Sequence, residues 1–132
     1  MYLLDTNICI YIIKQRPPEV LERFNHLTVG DVYMSIITYG ELYYGASKSK
    51  FSAKSLKSIA ELENLILPTP MNPEVGRHYG TIRAELESQG QTIGGNDLWI
   101  AAHARSLDCV LVTNNTREFD RISSLKLENW VA

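Results

Sequence analysis

The sequence has no apolar run long enough to cross a bilayer, and strand-like residues begin already at Tyr2, which leaves no basic leader or cleavable apolar stretch. A membrane-spanning or exported protein is therefore not expected, and a cytoplasmic one is. Cysteine is scarce: Cys9 and Cys109 lie in the aliphatic settings NICIY and LDCVLV, which read as buried reduced thiols and not as a disulfide or metal ligands. The three histidines, His26, His78 and His103, are isolated, with no His-x-x-x-His or Cys pairing, which speaks against a zinc site. An excess of one charge is also missing. With 13 basic against 15 acidic residues there is no global pull toward nucleic acid, so RNA would have to be met by a local patch. No repeat, low-complexity tract or linker interrupts the 132 residues, and residues 1–132 are expected to form one domain.

What is present is an alternation of short apolar β-type runs with longer helical patterns. YLL leads to a helix from about Asn7, VYMSI to a helix running through about Gly45, and SAKSLKSIAELENL is itself a further helix. LILP is followed by a helix across about PEVGRHYGTIRAELESQ, a Gly-rich turn at GQTIGGN, the helix LWIAAHARSL, the strand CVLV and a last strand near KLEN. The lysine-rich stretch from Ser47 to Leu65 reads as a helical hairpin arm. This order predicts an α/β fold with a short, mainly parallel sheet and helices on both faces.

In such sheets the functional crevice lies beyond the carboxyl ends of the strands. Asp5 ends the first apolar run, Asn114 and Asn115 follow CVLVT in the same way, and Asp97 opens the nearly apolar helix LWIAAHA. Each of these, taken alone, is also a good helix cap. Glu41 is harder to explain, because Ile37 and Tyr44 at i−4 and i+3 put it on an otherwise apolar helix face with no Lys or Arg at helical spacing. If Asp5, Glu41 and Asp97 converge, three repelling carboxylates call for a divalent cation. All-oxygen ligands suit Mg²⁺ or Mn²⁺, which activates water and stabilises charge on a phosphodiester.

Four stretches together, LLDTNICIY, SIITYGELYYGA, IGGNDLWIAAHARS and LVTNNTREFDRI, resemble a PIN-domain ribonuclease, in particular the VapC-type toxins of bacterial toxin–antitoxin pairs. The likeness spans nearly the whole chain. It implies a Mg²⁺-dependent endoribonuclease that cleaves structured cellular RNA, with tRNA the expected target, and so inhibits translation. It also implies an acidic cleft at the strand ends, a cognate antitoxin that blocks that cleft, and a homodimer. Asp5, Glu41 and Asp97 match the acidic metal-site positions, with Asp5 and Asp97 the foremost ligands. Many relatives carry a fourth acid where this chain has Asn115, which leaves one or two metals open; an amide can still coordinate or hold a water. Glu118 can add a water-mediated contact or serve as a first-turn acid favoured by the helix dipole. Thr6, Asn7 and Thr113 are candidate supporting groups.

A basic rim is expected from Lys48, Lys50, Lys54, Lys57, Arg77 and Arg83, with Arg117 and Arg121 beside the TNN turn. Tyr39, Tyr43, Tyr44, Ile36 and Leu42 give the Glu41 helix more apolar surface than one core face uses, so part of it is expected to meet another chain. Two other classes compete. A haloacid-dehalogenase-like phosphatase needs a second acid two residues after the first, where this chain has Asn7. A non-catalytic PIN-like RNA- or protein-binding module would fit the missing fourth acid.

Overall fold

The computed structural model describes all 132 residues and contains five strands and seven helices, with one or two helices between successive strands, around one sheet. They are β1 Tyr2–Leu4, α1 Thr6–Lys14, α2 Pro18–Asn25, β2 Val32–Ser35, α3 Ile36–Ser47 and α4 Ser52–Glu63. Then follow β3 Leu67–Thr69, α5 Pro73–Ser88, α6 Gly95–Ser106, β4 Val110–Val112, α7 Thr116–Phe119 and β5 Lys126–Glu128. The strand order is β3-β2-β1-β4-β5, and every neighbouring pair is parallel. Tyr2 pairs with Val32 on one side and Val110 on the other, which makes β1 the central strand. With only three or four residues per strand, the sheet cannot stand alone; the helices that cover it supply the apolar contact.

Alternation along the strands sends adjacent side chains to opposite faces. Leu4 and Val112 join a core with Ile8 and Ile12 of α1, Leu42 of α3 and Ile59 and Leu62 of α4. Leu3 and Leu111 join the other, with Ile82 and Leu86 of α5, Ile100 of α6 and Phe119. Helices α1 to α4 therefore cover one face, and α5 to α7 the other. Capping follows the sequence: Ser35 Oγ accepts from the Ile37 N–H at 3.1 Å to start α3, and Asn72 Oδ1 accepts from the Glu74 N–H at 3.0 Å, with Pro73 in the first turn of α5. The α/β architecture, parallel sheet and two-sided helices match the expectation. The helix α2 is an element beyond those the sequence pattern predicts. It starts at Pro17-Pro18, with Pro18 in the first turn, where a missing N–H is harmless, and Val20 is its one buried residue. No helix is long and apolar enough to cross a membrane.

Candidate metal centre

Strand order reverses between β1 and β4, so a crevice opens where their carboxyl ends diverge. Asp5 stands there directly after β1, 5% exposed, as the cap of α1. Its Oδ1 accepts from the Thr6 N–H and its Oδ2 from the Thr113 hydroxyl, each at 2.8 Å. Thr113 is buried just beyond β4, and its Oγ1 also accepts from the Asn115 N–H at 3.0 Å. One carboxylate thereby ties together the two strand ends that form the crevice. Burial pushes the Asp5 carboxyl above its usual range, the two hydrogen bonds oppose that, and the Glu41 charge adds to the rise.

Glu41 reaches the same point from α3. The partner missing from its own helix is the Thr6 hydroxyl, which donates to Oε1 at 2.7 Å and stands 3.2 Å from Thr38 Oγ1. Thr6 thus contacts Asp5 through its backbone and Glu41 through its side chain. Asp97 lies in the first turn of α6, where the helix dipole favours an anion. Its carboxyl is pushed up to about 6, by burial first and then by the negative charges of Asp5, Glu118 and Glu41. The three acids taken from the sequence therefore share one electrostatic field.

Glu118 completes the arrangement, and the sequence left its role open. Its carboxyl lies within hydrogen-bonding reach of Asp97, and its Oε2 accepts from Asn115 Nδ2 at 3.0 Å. Asn115 is thus turned toward Glu118. The signal available in sequence was the spacing in NNTREF, where a helical turn brings the acid at i+3 back over the asparagine. No three His, Cys, Asp or Glu side chains form a ready-made cage. What the chain provides is a set of oxygen donors, four carboxylates with hydroxyls between them, held at the cost of mutual repulsion and partial desolvation. That donor chemistry fits a hard divalent cation.

Other candidates are occupied elsewhere. His103 is buried with Nδ1 at 2.9 Å from Ser35 Oγ, His78 Nδ1 accepts from Arg105 Nε at 2.9 Å, and His26 Nδ1 is 2.7 Å from the Glu22 carbonyl oxygen. Both cysteines are free and buried, and burial raises both thiols above their usual range. Of the basic residues, Arg77 pairs with Glu74 and Arg83 with Glu87 on their own helix, while Lys126 pairs with Asp108. Arg121 donates to the Thr92 carbonyl at 3.2 Å.

A family model described as the PIN domain matches residues 2–125, and the chain belongs to the PIN-domain family. Within it, relatives at 39–48% identity include VapC proteins. Ribonuclease VapC2 of Haemophilus influenzae is 48% identical over 130 residues, covering 98% of both chains. The tRNA(fMet)-specific endonuclease VapC of Shigella flexneri is 45% identical, covering 98% of this chain and 97% of its own. Among solved structures, VapBC2 from Rickettsia felis bound to a DNA fragment from its promoter superposes with a TM-score of 0.92 at 38% identity, covering 98% of both chains. VapBC-1 from nontypeable Haemophilus influenzae gives 0.90 at 43% identity, covering 98% of this chain and 97% of that one.

Proposed function

We propose that residues 1–132 form one nuclease domain acting as a Mg²⁺- or Mn²⁺-dependent endoribonuclease of VapC type, a toxin that cleaves tRNA and is held inactive by a cognate antitoxin. The observation that carries this reading is the hydrogen-bonded linkage at the strand ends where the order reverses, in which Thr6 joins Asp5 to Glu41 and Thr113 joins Asp5 to the end of β4, with Asp97 and Glu118 within electrostatic reach. A binding module has no evident use for carboxylates that raise one another's pKa in this way, and the phosphatase reading lacks its second acid at Asn7. Asp5, Asp97 and Glu41 would hold the cation, and Glu118, oriented by the Asn115 amide, adds a further oxygen. A bound divalent cation supplies activation of water and stabilisation of charge on the phosphate. The residues supply position: Thr6 and Thr113 fix Asp5, and Thr6 fixes Glu41.

The name of the Shigella relative supports tRNA as the substrate class, and the VapBC structures support an antitoxin partner. A groove of about 620 Å³ between α1, α3 and α4, lined by Ile10, Ile13, Leu42 and Phe51 and ending at Glu41, suits an amphipathic antitoxin segment. Tyr43 and Leu67, 45% and 41% exposed, are surface for a second copy of this chain. Sequencing of RNA 5′ ends after brief induction tests activity and target together. Discrete new ends in tRNA are expected with the wild type and none with Asp5→Asn; identical patterns from the two would refute the reading.

A further inference from the structure

The acids leave one wall of their cleft unused. Tyr44 lies three residues beyond Glu41 on α3 and is 66% exposed, with the Lys48 ammonium 4.7 Å from its ring centroid. With Thr6, Gly40, Glu41 and Asn96 it lines an open cleft of about 570 Å³, within the range that takes a nucleoside-sized group. Two of those lining residues, Thr6 and Glu41, are already joined by the 2.7 Å hydrogen bond at the metal centre. The cleft is therefore continuous with the place where a phosphodiester would react.

Gly40 sits one turn before Tyr44, inside α3, where glycine is the poorest helix former after proline. A Cβ there would meet nothing within 4 Å, so the protein's own packing does not require its absence. Gly45 is equally open and lines the neighbouring groove. Each of these glycines keeps a concavity clear at the expense of helix propensity. Beside Gly40, what is kept clear is space next to an exposed ring with a cation upon it.

Building on the endoribonuclease reading, we propose that Tyr44 is a stacking platform for one unpaired base next to the scissile phosphate, that Lys48 meets an adjoining phosphate, and that Gly40 leaves the room the base occupies. Base–aromatic stacking tolerates any base because each has a π-face, and lysine contacts to phosphate position without reading sequence. The platform selects unpaired over paired nucleotides, since bases inside a helix have their faces covered.

The test uses a single-stranded oligoribonucleotide carrying one 2-aminopurine, mixed with the full chain without divalent cation so that no cleavage intervenes. Stacking on the wild type and on Tyr44→Phe should quench its emission. Tyr44→Ala should abolish the quenching and weaken binding by about tenfold. Gly40→Leu should abolish it too, with an unlowered melting temperature, because the new side chain enters open space. Quenching preserved in either Tyr44→Ala or Gly40→Leu, or absent from the wild type, overturns the platform. If Gly40→Leu alters self-association in sedimentation and leaves quenching intact, the cleft belongs to a second copy and the proposal falls. Cleavage of tRNA with Mg²⁺ by the wild type against Asp5→Asn tests the nuclease reading separately. Cleavage with unaltered Tyr44→Ala binding and rate refutes only the platform, whereas quenching without cleavage refutes only the nuclease.

Discussion

Asn115 carries the chain's departure from a fuller acidic pattern, and its hydrogen bond says what the amide does. Its Nδ2 donates to Glu118 Oε2, so it satisfies one oxygen of an acid that Asp97 already repels. Asn115→Asp removes that donor and sets a carboxylate against a carboxylate, which should lower the stability of the metal-free protein by about 1–2 kcal/mol. The same change adds a hard anionic oxygen, so Mg²⁺ affinity should rise. Thermal melting in EDTA checks the first effect and calorimetric titration the second; a variant with wild-type values in both would make Asn115 a turn residue only. From sequence, Asn115 was visible as a gap in a pattern. Its orientation was not, because a residue after a strand end can face cleft or solvent according to a single backbone turn, and the Thr113 hydroxyl that accepts from its N–H decides this.

At the scale of elements, the site is assembled from the starts of α1, α3's interior, α6 and α7, and the acids report on one another through their pKa values. Asp97 at the head of α6 rises from an ordinary value of 3.8 to about 6. Between those values the folded state binds more protons than the unfolded one, so metal-free stability should fall as pH climbs from about 4 to about 6. Asp97→Asn should flatten that slope, and saturating Mg²⁺ should do the same for the wild type by favouring the charged form. A melting series in EDTA over this range decides it; an identical slope in the variant would place the cause on another group. The strands and most helices were legible because their apolar runs are bounded by caps such as Ser35 and Asn72, whose chemistry is local. The helix α2 starts on two prolines and is too short to show a sustained apolar period, whereas α7, four residues long, shows in sequence only as the helix start that makes Glu118 a first-turn acid. Glu41 was flagged by its apolar neighbours, but its partner Thr6 lies 35 residues away and is supplied by the fold. Tertiary contacts of that separation leave no trace in a single sequence.

For the molecule as a whole, the centre sits at a seam. The two cores lie on opposite faces of the sheet, with Leu4 and Val112 facing one and Leu3 and Leu111 the other, and the carboxylates occupy the end of the strands that both share. Charge relief there should stabilise the entire fold, because α1 and α3 pack into one core while α6 and α7 pack into the other. A cation that binds only the folded state adds RT ln(1 + [L]/Kd), about 2.7 kcal/mol at a hundredfold excess over Kd. For a domain of this length that corresponds to roughly 8 °C in melting temperature. The wild type should therefore melt higher in Mg²⁺ or Mn²⁺ than in EDTA. Asp5→Asn, which loses a buried charge but keeps an Oδ1 that accepts from the Thr6 N–H, should melt at or above the wild type in EDTA and gain little from either ion. An Asp5→Asn protein stabilised by Mg²⁺ as strongly as the wild type would move the metal away from the β1 end and onto Asp97 and Glu118 alone.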